Sequence, residues 1–175
     1  MIGTLPPESA PFYYSNSSNT RLWDILTAIN EGMPIVGKGG YLFDKNRKIQ
    51  LLKDLNIGMT DIILEYERAV PKSPSDKDII PKRYNDVLQL AVKHNIEEFL
   101  FVYQSAWKWF IHSQKGLPPV IMGRLTGLFL TGPQATITHQ GKQIKCTLLP
   151  SPLGRGTKGL TLAIKLEMYK QYIYA

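Results

Sequence analysis

Two Pro- and Gly-rich segments, one near each end of the chain, hold the residues whose types and spacing best suit chemistry. The first covers residues 3–7 (Gly-Thr-Leu-Pro-Pro) and leads into an aromatic and asparagine-rich run at 12–19. The second covers residues 149–156 (Leu-Pro-Ser-Pro-Leu-Gly-Arg-Gly). Each begins where an apolar run stops, which is where open α/β sheets carry ligand-binding loops. Arg155 in the second segment and Lys158 just after it would form an anion site with the amides that begin the next helix.

Ordinary structural roles are open for the same residues. The run Ser-Asn-Ser-Ser-Asn-Thr at 15–20 suits helix capping or an Asx turn at Asn16 and at Asn19. Tyr14 could be a half-buried aromatic residue near a helix start, and residues 149–156 could be a plain connector from a strand to a helix. Residue type alone does not separate these roles from chemical ones.

The elements that must position the two segments follow from hydrophobic spacing. Helical spacing predicts helices over residues 20–31, 44–58, 83–94, 105–113 and 158–174. Short apolar runs predict buried strands over residues 59–66 and 99–103, separated in part by a polar, Pro-rich connection at 70–81. Residues 136–139 and 143–149 flank Gly141 and predict a hairpin whose second arm enters the sheet.

This alternation of strands and helices predicts the fold class. Strands that alternate with helices form a mainly parallel sheet covered on both faces, with functional loops at the carboxyl ends of the strands. We therefore expect an α/β fold, a single three-layer α/β/α domain over residues 1–175 with a central four-stranded sheet. Only Met1 and Ile2 precede Gly3, so the first strand is expected to be truncated.

The charge balance favours a polyanionic partner. The chain has 175 residues, 43% of them hydrophobic, which suffices for one compact core and is short for two ordinary domains. Its 21 Lys and Arg against 14 Asp and Glu give a net charge of +7. Such a charge is typical of nucleic-acid binding without identifying it. The basic second helix, with Lys45, Arg47, Lys48 and Lys53, would face either DNA or solvent.

The residue types do not favour a metal site, a disulfide or a membrane span. The single Cys146 excludes an internal disulfide and is predicted to lie in the core. His94, His112 and His139 are scattered without zinc spacing, so no metal is expected. No stretch approaches the roughly 20 apolar residues of a membrane span, and no signal peptide is evident at the start. We expect a cytoplasmic protein with no membrane partner.

Together the two segments resemble the two active-site motifs of the uracil-DNA glycosylase superfamily. The first, at 3–7 and followed by Tyr13-Tyr14 and Asn19, is most similar to the hypoxanthine-DNA and mismatch-specific branches. The second resembles the Pro-Ser-Pro loop of the superfamily. Weaker matches occur in order between them, at residues 55–61, 67–68, 75–76 and 85–86. The resemblance implies a uracil-DNA glycosylase-like fold, a DNA partner and no cofactor.

For the first motif, the resemblance implies a loop that binds the base. Thr4 and Leu5 would contact it, and the Tyr14 ring would stack on it, a contact worth about 1–3 kcal/mol. Asn19, with Asn16 as the second candidate, would place the attacking water or hold the base. Leu5 stands where many relatives carry a water-positioning Asn, so the mechanism of those relatives does not transfer directly.

For the second motif, the resemblance implies a loop that grips DNA. Ser151 and Pro152 would compress the DNA backbone, with Ser151 contacting a phosphate. Leu153 would enter the space that the flipped base vacates. Arg155 and Lys158 would add contacts to DNA.

These comparisons lead to the hypothesis of a monofunctional DNA glycosylase. It would act as a monomer on a nucleotide flipped from single- or double-stranded DNA, hydrolyse the N-glycosidic bond with a water and leave an abasic site. Leu149 replaces the His of the uracil-excising relatives. With Leu5, this departure motivates a second hypothesis, a DNA-binding or damage-sensing module without turnover. A third is an enzyme that acts on free nucleosides or small glycosides.

Overall fold

The computed structural model describes residues 1–5, 21–35, 45–71, 73, 75–113, 134–153 and 159–174. The chain divides into two compact units. The first comprises Met1–Leu5 and Thr60–Leu148, and the second comprises Pro6–Met59 and Leu149–Ala175. The single domain and its three layers involve both units and stay predictions.

The described elements are seven strands and five helices. In chain order they are β1 (Ile2–Gly3), α1 (Leu22–Glu31), α2 (Lys45–Asp54), β2 (Thr60–Asp61), β3 (Ile63–Arg68), β4 (Ile79–Tyr84), α3 (Val87–Lys93), β5 (Glu98–Phe101), α4 (Gln104–Ser113), β6 (Gln134–His139), β7 (Lys142–Leu148) and α5 (Leu162–Ile173). A short 3-10 turn, Asp76–Asp78, precedes β4. None of the described helices is long and apolar enough to cross a membrane.

Five strands of the first unit form one mainly parallel sheet in the order β2-β1-β5-β7-β6. Strands β2, β1, β5 and β7 run parallel, and β6 runs antiparallel to β7. The predicted α/β class and parallel sheet are confirmed, but the prediction of four strands was wrong. The predicted hairpin accounts for the difference, because its first arm adds an antiparallel edge strand. Gln140 and Gly141 make its turn with φ of 49° and 78°, as a tight hairpin requires.

Aromatic side chains of β5 and α4 form the centre of this unit. Phe101 meets Trp107 edge-on with ring centroids 4.9 Å apart, and Phe110 lies 5.1 Å from Phe101. Edge-to-face pairs are favoured by the ring quadrupoles, so the contact of Phe101 with Trp107 helps to orient α4 on the sheet. Cys146 is fully buried opposite Phe99. Its burial and the nearby Glu98 raise the pKa of its thiol to about 12, and its predicted core position is confirmed.

The segment after β2 departs from the prediction of one buried strand over residues 59–66. The chain forms the short β2, and β3 then pairs antiparallel with β4 in a separate two-stranded sheet. Ile62 and Ile63 are buried as expected, whereas Leu64 is 50% exposed. Strand β4 occupies part of the predicted polar connection at 70–81. Pro81 argued against a strand there, but a two-stranded sheet tolerates proline because its edges need no further amide donors.

Helix α3 begins later than predicted, at Val87 instead of Arg83. Asp86 caps it by accepting the Gln89 amide at 2.9 Å, which sets the first turn. The preceding Asn85 donates from its side-chain amide to the Thr60 hydroxyl at 2.7 Å. Both residues of the weak match at 85–86 therefore stabilise the fold locally.

Helix α1 is the buried centre of the second unit and packs against α2 and α5. Its apolar residues Leu22, Ile25 and Leu26 are fully buried. It ends at Gly32, whose φ of 65° gives the left-handed C-cap that glycine adopts without strain. The predicted helix over residues 20–31 is confirmed in its described part. On α2, Lys48 is buried, and its ammonium lies 5.0 Å from the centroid of the Trp23 ring.

Candidate functional site

Both predicted motifs begin where a parallel strand of the sheet ends. Strand β1 ends at Gly3, and Thr4 and Leu5 of the first motif follow it directly. Strand β7 ends at Leu148, and the second motif begins at Leu149. Because β1, β5 and β7 are parallel, the chain enters both motifs from the carboxyl edge of the sheet. This edge is the usual ligand side of an open α/β sheet.

Thr4 is held at the end of β1 by its main chain and its side chain. Its carbonyl accepts the Ile63 amide at 3.0 Å. Its hydroxyl lies 2.7 Å from the hydroxyl of Ser105, in the first turn of α4. Thr4 is buried, and one hydroxyl of the pair donates while the other accepts. The start of the first motif is thus tied to two neighbouring elements of its unit.

Leu5, the second predicted base-binding residue, lies in a small apolar cluster. Its side chain is buried with Ile63 and Ile79, and Tyr84 and Trp109 pack against this cluster. An aliphatic side chain in such surroundings can neither position a water nor hydrogen-bond to the edge of a base. The Leu5 side chain packs in this cluster, and its predicted contact with a base stays a prediction.

The predicted stacking and catalytic residues of the first motif, Tyr14, Asn16 and Asn19, lie outside the described residues. The same holds for Arg155 and Lys158, the predicted cationic contacts of the second motif. Their roles stay predictions.

The second motif is held through its main-chain carbonyls. The donors are the Tyr169 hydroxyl (2.9 Å to Pro150), the Arg21 amide (3.0 Å to Pro152) and the Lys165 ammonium (2.8 Å to Leu153). Lys165 and Tyr169 are both fully buried on α5. A hydrogen bond from a charged donor is stronger than one between neutral groups. The path of the chain through residues 150–153 is therefore determined by buried groups of its own unit.

Lys165 is the most unusual of these donors, since a lysine is rarely buried without a partner. Its residue is 1% exposed, and burial lowers the pKa of its ammonium. The Leu153 carbonyl supplies the partner. The buried ammonium of Lys165 therefore helps to hold the loop at Leu153.

The side chains of the same loop divide into buried and outward ones. Leu149 and Pro152 are buried, whereas Leu153 is 36% exposed. The Ser151 hydroxyl accepts the Leu153 amide at 3.3 Å, which leaves its proton to donate to a ligand. The loop therefore exposes the Leu153 side chain, while buried side chains of α5 hydrogen-bond to the loop carbonyls.

A shallow cavity of about 410 Å³ opens in the first unit beside the Thr4–Ser105 pair. Its described lining residues are Lys77, Gln104, Ser105, Lys108, Trp109 and His112. Sequence reasoning assigned Trp109 to packing and missed the cavity. The available signal was the spacing on α4, where polar residues recur four apart at Gln104, Lys108 and His112.

Comparisons with known proteins do not identify a family. No family model, no curated protein and no solved structure shows a significant match to the chain. Within the described ranges, no three His, Cys, Asp or Glu side chains come together as metal ligands. Function must therefore be inferred from the residues themselves.

Proposed function

We propose that the chain is a DNA glycosylase, which flips a damaged, deaminated or modified base out of DNA and hydrolyses its N-glycosidic bond. It would act in the cytoplasm as a monomer, without a cofactor, and leave an abasic site. The domain would be of the three-layer uracil-DNA glycosylase type. The observation that carries the proposal is Leu153, an exposed leucine on a loop whose carbonyls are held by buried donors.

Base flipping explains why such a loop would be useful. Extruding a nucleotide costs a few kcal/mol of stacking and pairing energy. An apolar side chain that fills the vacated space offsets part of this cost, as the wedges of DNA-kinking proteins do. A wedge on a mobile loop would withdraw instead of holding the strand open. The buried contacts of Lys165 and Tyr169 oppose such withdrawal.

The remaining roles follow from the resemblance. Tyr14 would stack on the extruded base, and Asn19 or Asn16 would position the water that attacks the sugar carbon. That carbon would form a bond to the water oxygen as its bond to the base nitrogen breaks. The base would leave with the electron pair and take up the proton that the water loses. The Ser151 proton would bond to a phosphate oxygen. No covalent link between enzyme and sugar is required.

A second candidate is a DNA-binding or damage-sensing module of the same fold without turnover. Leu5 and Leu149 replace polar residues of relatives, and both are buried as ordinary core residues, 9% and 2% exposed. Such a module would bind DNA in a salt-sensitive manner and release no base.

The proposal is tested by single-turnover base release with excess protein. The substrates are single- and double-stranded oligonucleotides with uracil, hypoxanthine, xanthine, mismatched thymine or modified cytosines. We expect release of at least one of these bases. Binding without release across the panel would favour the non-catalytic module. Release from free nucleosides, unchanged in Leu153→Ala, would favour the third hypothesis.

Two variants assign the roles. Asn19→Ala should lower the single-turnover rate by roughly 100-fold or more while changing DNA affinity little. Equal losses of rate and affinity would contradict a chemical role for Asn19. Leu153→Ala should lower the rate on duplex DNA more than on single strands. Leu64→Ala, an exposed leucine of β3, is the matched control and should change neither rate.

A further inference from the structure

The cavity beside the Thr4–Ser105 pair combines side chains that recognise different parts of a nucleotide. Lys77 and Lys108 supply positive charge, and Trp109 supplies a flat ring. Gln104 and Ser105 supply an amide and a hydroxyl. No carboxylate is among the described lining residues. The volume of about 410 Å³ lies within the range of roughly 300–1,000 Å³ that is usual for small-molecule sites.

Trp109 differs from the other two tryptophans of the chain. Trp23 and Trp107 are 3% and 0% exposed, whereas Trp109 is half-buried at the cavity. Its ring centroid lies 6.3 Å from that of Tyr84 and 5.7 Å from that of His112. These neighbours restrict the indole, so little ordering would be needed before a base stacks on its open part.

The two lysines come from different elements, which limits what the cavity can bind. Lys77 lies in the 3-10 turn before β4, and Lys108 lies on α4. Two ammonium groups from different elements suit a phosphate, whose oxygens accept from several donors at once.

We propose that this cavity binds a deoxynucleotide, with its phosphate at Lys77 and Lys108 and its base against the Trp109 indole. The nucleotide is either free or a unit of single-stranded DNA. Nucleotide binding here does not require base release. Since Ser105 contacts both the cavity and Thr4, an occupant would lie beside the first motif.

Tryptophan fluorescence provides the test, because Trp109 is the indole that a ligand in the cavity would reach. The intact chain is titrated with deoxyadenosine monophosphate, with deoxyadenosine and with a ten-residue deoxyadenosine strand. We expect quenching by the nucleotide or the strand and weaker binding of the nucleoside. Lys77→Gln and Lys108→Gln should each weaken binding by roughly three- to ten-fold. Each should also lower the salt slope for the strand by about 0.7.

Lys82→Gln is the matched control, since Lys82 is an exposed lysine of β4 that pairs with Glu67 and does not line the cavity. It should bind like the unmodified chain. Binding of the strand alone, lost in the Lys77 and Lys108 variants, would identify DNA as the source of the nucleotide. Absence of quenching, equal binding of nucleoside and nucleotide, or equal losses in the control would overturn the proposal. Asn19→Ala should retain quenching, so a failure of base release is distinguishable from a failure here.

Discussion

The two predicted motifs follow parallel strands of one sheet, but they differ in the side chains that they leave exposed. In the described part of the first motif both side chains are buried: the Thr4 hydroxyl pairs with Ser105, and Leu5 joins an apolar cluster. The second motif is held by its main chain, through carbonyls that accept from buried donors, and Leu153 remains exposed.

This difference shows which part of each motif can act on a ligand. A side chain that packs in the core contributes to stability and is withheld from solvent. A side chain that projects from a firmly held backbone can contact a partner without losing its position. The described part of the first motif therefore packs within its unit, and the second motif leaves the Leu153 side chain exposed. The predicted contacts of both motifs with a base or with DNA stay predictions.

The largest expected effect is that of Leu5→Ala. Removing a buried leucine side chain typically costs about 2–5 kcal/mol of unfolding free energy, and Leu5 is 9% exposed. Urea unfolding followed by circular dichroism would measure the loss. A cost below that of Leu153→Ala would break the comparison between the two motifs.

Lys165→Met comes next and tests the main chain of the second motif. Loss of a hydrogen bond from a charged donor should cost about 1.5–3 kcal/mol. The control is Lys170→Met on the same helix, where a partly exposed lysine pairs with Glu167 and the expected cost is about 0.5 kcal/mol or less. If both variants lose equal stability, Lys165 does not hold the loop.

The pH dependence of the unfolding free energy gives a second test of Lys165. Burial lowers the pKa of folded Lys165 below its ordinary value of 10.5, so the unfolded chain binds more protons between these two values. Stability should therefore rise with pH across that window. Subtracting the profile of Lys165→Met isolates the contribution, and a flat difference would contradict burial of the charge.

A smaller effect is expected for the hydroxyl pair of the first motif. A double-mutant cycle with Thr4→Val and Ser105→Ala should give a coupling of about 0.5–1.5 kcal/mol in urea unfolding. Thr138→Val, an exposed threonine of β6, should not couple to Ser105→Ala. Additive losses at Thr4 and Ser105 would mean that their hydroxyls contribute separately.

The smallest effect on stability should come from Leu153→Ala. Since Leu153 is exposed, its truncation should change the unfolding free energy by no more than about 0.5 kcal/mol. A cost approaching that of Leu5→Ala would show that Leu153 is a core residue and would remove the basis for its role as a wedge.

The strongly patterned parts of the fold could be predicted from the sequence. Helix α1 and strand β5 could be predicted because each has a regular spacing of apolar residues and ends at a polar or turn residue. The turn at Gly141 could be predicted from its glycine. Strand β4 could not be predicted, because Pro81 interrupts it and Ile80 is 43% exposed. Strand β3, with which β4 pairs, is separated from β4 by the connection between Arg68 and Ile79. Local residue types do not indicate which distant strand a segment pairs with.

Within the candidate site, sequence reasoning located the loops and missed what holds them. Lys165 is twelve residues from Leu153, and Tyr169 is nineteen from Pro150. A lysine in a terminal helix is usually solvated, so its burial depends on tertiary packing that no local pattern reveals. The cavity beside Ser105 was missed for the same reason.

The contacts of the second motif end on main-chain carbonyls of Pro150, Pro152 and Leu153. Carbonyls are common to all residue types, so substitution of Leu153 leaves its own anchor in place. This position can therefore be varied by engineering or by evolution without rebuilding the loop. A library of substitutions at residue 153, screened against different partners, would change the surface that the loop offers to a partner. Helix α5 would keep the loop backbone in position.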